Sequence, residues 1–317
     1  MEADKPKKTN KHLRRFFHVW HNPIAEELII AFFIGFAVAF ITLGFVINSK
    51  NQNGFYYEFD YTDYCRNITN CVLPSFSLPT NFNGPLFVQY KVTNFGQNNY
   101  HYTISIPNSM LIDGLGDPTS NSNCLYYTTN ANFSKIVSAN NTPLNQSAFA
   151  MPCGWAAFTL FTDNFQLVYD SGMSNIPISG SGIAWSTDIQ YRAVNIDLSK
   201  QWIDFKNERF VNWMRTPPYD KFIKTWGQIS GNIGTSPIKF QVNNIWSVNL
   251  PKVRKSIILT SVEWYGSPNN FLVGFFISFG FFSLLFGIGL IINYIHKKAT
   301  YKKPVYQVEE INVEEQK

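Results

Sequence analysis

Four cysteines, four Asn-x-Ser/Thr sequons and a scatter of aspartates are the residues of this 317-residue chain whose spacing could support chemistry. Cys65, Cys71, Cys124 and Cys153 fit disulfides in an oxidising compartment. Four cysteines allow three pairings. Local closure favours Cys65–Cys71, six residues apart, and Cys124–Cys153, which encloses an Asn/Ser/Thr-rich loop; buried free thiols are the competing reading. Asn67, Asn132, Asn140 and Asn145 each begin a glycosylation acceptor sequon, and the last three crowd between residues 132 and 147. Asp163, Asp188 and Asp197 could be paired acids for glycoside chemistry. Isolated aspartates in strand-rich domains more often cap or turn, so no catalytic role is assigned to them. His101 is the only histidine between the two apolar runs described below, too little for a Ser/His/Asp triad or a zinc site. There is no Walker loop, nucleophile elbow or HExxH. Asp220-Lys221 continues as Phe222-Ile223, so it is not the Asp-Lys-Thr-Gly motif that a P-type pump phosphorylates. The chain reads as a non-enzyme with no cofactor and no metal.

Two apolar runs frame these residues, at 28–47 and 271–295, each free of Asp, Glu, Lys and Arg. Both reach the roughly 20 residues that a helix needs to cross a bilayer. Lys5, Lys7, Lys8, Lys11, Arg14 and Arg15 precede the first, and Lys297, Lys298, Lys302 and Lys303 follow the second. The positive-inside rule then places tails 1–27 and 296–317 in the cytosol and 48–270 in the lumen or outside. The first run exceeds a signal-peptide core and reads as an uncleaved anchor. All four cysteines and all four sequons fall in the predicted ectodomain. The net charge of +5 comes largely from the tails, so it points to membrane topology and not to nucleic acid. The acidic end around Glu309-Glu310 and Glu314-Glu315 reads as a disordered tail.

Within 48–270 the patterning is mostly that of strands. Leu86, Val88, Tyr90 and Val92 alternate with Phe87, Gln89, Lys91 and Thr93 after the turn signal Asn83-Gly84-Pro85. Tyr102, Ile104 and Ile106 alternate again, which predicts a hairpin across residues 94–99. Ile238, Phe240 and Val242 form another alternating set, and 256–262 is a compact apolar run. Helix is expected over 208–215, stopped by Pro217-Pro218, and a second one carrying Tyr219, Phe222, Ile223 and Trp226 on one face. The fold class is therefore a membrane protein with two transmembrane helices and a large, β-rich (α+β, antiparallel sandwich-like), disulfide-bonded ectodomain. In the spans, Ala31, Gly35 and Ala39 recur every four residues, and Ser283 and Gly287 repeat that spacing. Small-xxx-small stripes allow close helix packing and mark candidate faces for a partner helix. Neither span holds a charge or carboxamide placed to line a transport path; Ser278, Ser283 and Asn293 are the polar residues well inside the second.

Six ordered segments carry a family resemblance. Asn94-Phe95-Gly96-Gln97-Asn98 resembles an Asn-Phe-Tyr-Gln-Asn element, with glycine in place of tyrosine. Leu111, Gly114 and Cys124 sit where a Gln-Leu-x-Gly stretch and a disulfide cysteine are found. Pro152-Cys153-Gly154 followed by Phe161-Thr162-Asp163-Asn164-Phe165 is similar to a Pro-Cys-Gly and Phe-Asn-Asp segment. Ile183-Ala184-Trp185-Ser186-Thr187-Asp188 matches Ile-x-Trp-x-x-Asp, and 209–215 resembles His-Phe-x-x-Trp-Met-Arg. Residues 264–274 resemble the Ser-Trp-x-Gly-Gly-x-Asn-x-Phe-Leu-Gly entry to a second span. Together they resemble the cell division control protein fifty family, two-pass β-subunits of type-IV P-type ATPases, the lipid flippases. The chain departs from the family in two places. Only Asn22-Pro23 echoes the cytosolic Gln-Gln-x-Leu-x-Ala-x-x-Pro element, and two early cysteines stand where members often carry four.

The resemblance implies a non-catalytic subunit that forms a heterodimer with the catalytic subunit of a type-IV P-type ATPase. It would support pump folding, exit from the endoplasmic reticulum and lipid translocation. Phosphorylation, ATP hydrolysis and movement of membrane lipids would belong to the partner. The expected residence is the endoplasmic reticulum, Golgi, endosome or plasma membrane. A two-pass trimeric ligand-gated channel subunit is the alternative, though such channels carry more cysteines and a polar pore-facing residue. A membrane-anchored glycosidase or transferase rests on the scattered aspartates alone and ranks lower.

Overall fold

A computed structural model describes residues 25–79, 85–114, 124, 126–172, 174–231, 233–246 and 252–300. The basic residues before 25, the Asn22-Pro23 echo, Asn83-Gly84, Lys302, Lys303 and the acidic end lie outside them. The chain divides into two compact units, residues 1–49 with 270–317, and residues 50–269.

The first unit is a pair of long helices, α1 (Glu26–Asn53) and α8 (Asn270–Thr300). Both run past the apolar limits read from sequence, because flanking polar residues continue the helix beyond the hydrocarbon-length core. At about 1.5 Å per residue each exceeds the bilayer's apolar thickness of about 30 Å. Ala37 and Gly44 of α1, seven residues apart, are buried, as are Val273, Gly280 and Gly287 of α8 at the same interval, with Ser283 between them. That repeat is a coiled-coil-like seam. A methyl carbon added at Gly280 would lie 2.6 Å from Ile41 Cγ1 and 3.2 Å from the Ala37 carbonyl oxygen. One added at Gly44 would lie 2.6 Å from Ile277 Cγ1. Glycine is what lets these helices approach. Phe33, Phe36 and Phe40 pack on Phe286, Phe279 and Phe276 along the flank. At one end Lys297 donates to Glu26 at 2.7 Å and the Tyr294 hydroxyl to Glu27 at 2.6 Å.

The second unit is built on two four-stranded antiparallel sheets. Its strands are β1 (Tyr56–Asp60), β2 (Asn70–Val72), β3 (Leu86–Thr93), β4 (Asn164–Tyr169), β5 (Asn175–Ile176), β6 (Phe222–Ile229), β7 (Ile238–Asn243) and β8 (Arg254–Ser261). One sheet has the order β1-β8-β3-β6 and the other β2-β7-β4-β5. Short helices fill the connections: α2 (Tyr100–Ile104), α3 (Asn108–Asp113), α4 (Asn130–Phe133), α5 (Trp155–Phe158), α6 (Ser186–Tyr191) and α7 (Glu208–Met214). Alternation fixes the inward faces. Leu86, Val88, Tyr90 and Val92 of β3 are buried, as are Ile238, Phe240 and Val242 of β7. Across the sheets, Phe165 of β4 lies 5.1 Å from Trp226 of β6, and Tyr90 stacks on Phe161 at 3.9 Å.

Two expected elements differ. Residues 100–104 form α2 instead of the second arm of a hairpin. Asn99 caps it by accepting from the His101 N–H, and the buried Tyr102 is spaced with Ile106 as a helix also requires. β3 pairs with β6 and β8 instead. Residues 222–229 form a strand, not the helix expected from Tyr219, Phe222, Ile223 and Trp226. Its inward positions are Phe222, Lys224 and Trp226, and the lysine in the middle hides the alternation.

Candidate functional site

Several of the segments that carried the resemblance meet on α7, among them those around Phe95, Ala156 and Ile183. Asn207 caps this helix, its side chain accepting from the N–H groups of Arg209 and Phe210. Glu208 in the first turn accepts from the backbone N–H groups of Gly182, Ile183 and Ala184 at 2.9, 2.7 and 2.8 Å. Asn212 donates to the carbonyls of Ile183 and Thr225. The Ile-x-Trp-x-x-Asp loop is thereby strapped along one flank of the helix. At the far end Arg215 reaches Asp188 at 3.2 Å and stacks 4.5 Å from the Trp185 ring centre. Trp185 is 65% exposed, so this aromatic–guanidinium pair is held at the surface by the half-buried Glu208 and Asn212 contacts beside it. Tryptophan and arginine are the residues most enriched at protein-interface hot spots.

On the buried side, the Trp213 indole donates to the Ala156 carbonyl, joining α7 to the α5 segment that follows Pro152-Cys153-Gly154. Arg209 lies 3.5 Å over the Trp226 ring and donates to its carbonyl, and burial lowers its pKa. Lys224 of β6 donates to Gln97 Oε1 at 2.8 Å and to the carbonyls of Trp213 and Arg215 at 2.7 and 2.9 Å. Those carbonyls are ones a helix C-terminus leaves without intrahelical partners. Burial drives the Lys224 pKa well down. Three acceptors nonetheless engage all three N–H groups of an ammonium, and the geometry favours the charged form. Gln97, fully buried, passes the connection to the Tyr102 hydroxyl.

A second buried network ties the sheets together. β8 places Lys255 inward, opposite Val92 of β3. Its ammonium lies 2.7 Å from Asp163 Oδ2 and also donates to Asn244. Asp163 further accepts from the Tyr61 hydroxyl and from the N–H groups of Ile245 and Trp246. Burial first, and then the Asp163 charge, hold the Tyr61 phenol well above its usual range. Asp188 is bound by Arg215 and Arg192, and Asp197 turns the chain by accepting from Ser199. Each of these three aspartates is engaged by side chains or backbone of this chain: Asp163 by groups distant in sequence, Asp197 by its near neighbours. His101 is exposed on α2, and no cluster suited to a metal ion exists among the described residues.

Cys65 is bonded to Cys71 and Cys124 to Cys153, with Cα atoms 5.6 and 5.2 Å apart. The second bond anchors the loop bearing Asn132, Asn140 and Asn145. All four sequon asparagines are exposed. Those three accept hydrogen bonds from their own sequon neighbourhoods at Oδ1: Asn132 from Thr129, Asn140 from Thr142 and Asn145 from Ser147. In the helix pair the two small-residue stripes part company. Ser283 and Gly287 face α1, where a methyl on Gly287 would lie 2.9 Å from Ile34, so they serve the chain's own seam and are closed to another helix. Ala31, Gly35 and Ala39 lie on the exposed side, and a methyl added at Gly35 would meet nothing within 4 Å. Sequence reasoning missed the role of Lys224 and Lys255; an isolated lysine within the strand-forming run Phe222-Ile223-Lys224-Thr225-Trp226 was the signal for the first, whereas Lys255, beside Arg254, offered none.

Residues 46–300 match the family described as LEM3 (ligand-effect modulator 3) family / CDC50 family, a range that takes in the ectodomain and α8. This chain belongs to the CDC50 family. It is 26% identical to Cell cycle control protein 50B of Homo sapiens, over 87% of this chain and 90% of that protein. It is 26% identical to Cell cycle control protein 50A of Bos taurus, over 89% of this chain and 87% of that protein. ALA-interacting subunit 3 of Arabidopsis thaliana is 23% identical, over 70% of this chain and 63% of that protein. In this CDC50-family chain the α7 cluster presents the Trp185 ring and the Arg215 guanidinium together at the surface. With two candidate spans and this membership, the chain is an integral membrane protein.

Proposed function

We propose that this CDC50-family chain is a non-catalytic accessory (β) subunit of a phospholipid-flipping type-IV P-type ATPase. The observation that carries the proposal is the family match over nearly the whole ectodomain and the second span. Relatives named as interacting subunits support a partner-bound role. Both tails lie in the cytosol and residues 48–270 in the lumen or outside, where the disulfides form and Asn67, Asn132, Asn140 and Asn145 accept glycans. The open Ala31/Gly35/Ala39 face of α1 receives a pump helix, and the ectodomain holds the pump's lumenal loops. Binding of the folded pump by the subunit stabilises it by mass action and so couples pump folding and export to subunit supply. Effects on turnover arise from tighter binding to some pump conformations than to others. ATP hydrolysis and lipid movement reside in the partner.

Depletion of the chain in its own cells tests the proposal. A type-IV P-type ATPase is expected to be retained in the endoplasmic reticulum, with loss of fluorescent phospholipid uptake. Normal export and uptake of every such pump after depletion would overturn it.

A further inference from the structure

The outer face of the β2-β7-β4 sheet carries a grid of carboxamides that the rest of the fold does not use. Register places Asn70, Asn243 and Asn164 in one row across the three strands. Gln241 and Gln166 form the next row, beside Val72. These side chains line a cavity of about 290 Å³, and none of its lining residues is charged. Several other amides of the ectodomain are engaged: Gln97, Gln201, Asn195, Asn212 and Asn244 all make side-chain hydrogen bonds. The five grid amides make none among the described residues. Asn243 Oδ1, in the first row, is one of two buried side-chain acceptors without a partner among the described residues, the other being Asn130 Oδ1 away from the grid. A buried acceptor without a partner is destabilising, so a group that supplies hydrogen bonds is expected there.

The grid selects a chemical class. Each carboxamide offers donors and acceptors but no charge, which suits a neutral ligand with many hydroxyls. Neighbouring strands lie about 4.8 Å apart and alternate residues about 6.7 Å, so the polar groups spread in two dimensions like the hydroxyls around a hexose ring. An extended peptide would present its groups along one line. With no aromatic platform in the cavity, affinity for a free sugar would be weak, and a tethered sugar is favoured. The sequence supplies the tether: Asn67 begins a sequon inside the Cys65–Cys71 ring, three residues before Asn70. Three residues span at most about 11 Å. A short tether raises the effective concentration to about millimolar, which offsets weak intrinsic binding.

We infer that this carboxamide grid is a docking site for the neutral N-linked glycan carried by the chain's own Asn67. Folded back onto the sheet, the sugar covers the amides and shields the β2 edge. The inference rests on the lumenal orientation proposed above. The test is enzymatic glycan release from the full-length chain, purified natively from a glycosylating host in a detergent without a sugar headgroup. Mass spectrometry follows Asn67, Asn132, Asn140 and Asn145 separately. The Asn67 glycan is expected to be released at least tenfold more slowly from the natural chain than from the Gln166→Ala/Gln241→Ala variant, while release at the other occupied sites is unchanged. If that variant alters release at every site, Gln241→Glu supplies the same comparison with little change of shape. Equal release at Asn67 overturns the inference. So does an empty Asn67 beside sugar at other sequons, whereas absence of sugar at all four contradicts the orientation instead. Binding of free Man5GlcNAc2 by the grid with an unprotected Asn67 glycan would also overturn it, by showing that the sugar comes from another molecule.

Discussion

The helix pair and the ectodomain solve the same problem, close packing, with opposite chemistry. Along the seam of α1 and α8 the contacts are small against large apolar residues, and the ion pair and hydrogen bond between side chains described above lie at one end. A hydrocarbon solvent offers no hydrophobic gain on association, so shape must do the holding. In the ectodomain an aromatic core is crossed by buried charge. Lys255 meets Asp163, and Lys224 meets helix carbonyls. The two units are therefore vulnerable in different ways: added volume breaks the first, and a removed partner breaks the second.

The largest effect is expected in the ectodomain. Asp163→Ala leaves Lys255 buried without its counter-ion and should cost about 3–5 kcal/mol, read as a fall in the unfolding midpoint of the full chain. Asp163→Leu combined with Lys255→Met should recover only part of that loss, because the Tyr61 hydroxyl and the N–H groups of Ile245 and Trp246 still lose their acceptor. If the single variant unfolds like the natural chain, buried charge is not what holds this unit. Next in size, Cys153→Ser opens the Cys124–Cys153 ring and should cost about 2–5 kcal/mol. Lipid flipping should fall with it, and no soluble hydrolysis should change. Retained flipping with normal export would show that the bond is dispensable.

The helix pair supplies a smaller and more selective effect. Gly280→Leu overpacks the seam against Ile41 and should cost about 1–3 kcal/mol. Gly35→Leu fills open space, so the pair should stay intact while recovery of the pump falls. Equal effects of the two variants on pump recovery, at equal chain stability, would erase the distinction between the inner seam and the outer stripe. The smallest expected effect is one of pH. Burial acts to raise the Glu58 pKa, but hydrogen bonds from Lys91 and Tyr56 prevail and hold it below the usual carboxylate range. A depressed carboxylate contributes stability above its unfolded value of about 4.3 and loses it as pH falls through the folded value. Glu58→Gln should therefore flatten the acid limb of the ectodomain's stability profile. An unchanged limb would remove Glu58 from the account.

The sequence reading succeeded where one physical effect dominated and failed where two competed. Apolar length alone located both long helices, strict alternation located β3 and β7, and a compact apolar run located the body of β8. Residues 222–229 misled because Lys224 occupies an inward position, breaking the period while Phe222, Ile223 and Trp226 also fit a helix. Residues 100–106 misled because Tyr102 and Ile106 satisfy a helical interval as well as an alternating one, and the Asn99 cap decided between them. Small-residue spacing showed that close packing would occur without saying against what. The seven-residue interval of Val273, Gly280 and Gly287 assigns one stripe to the chain's own seam and leaves the other open. The motifs between 94 and 215 were visible one by one, but their meeting on α7 depends on long-range contacts that no local pattern encodes.

The most direct test of the central claim is co-purification of the full-length chain in mild detergent, with the co-purified material assayed for acid-stable, ATP-dependent phosphoenzyme. The account predicts a one-to-one complex with a type-IV P-type ATPase that forms the phosphoenzyme, and loss of that complex in Gly35→Leu. A chain that purifies without any P-type ATPase, and alone assembles as a trimer that passes ions, would contradict it.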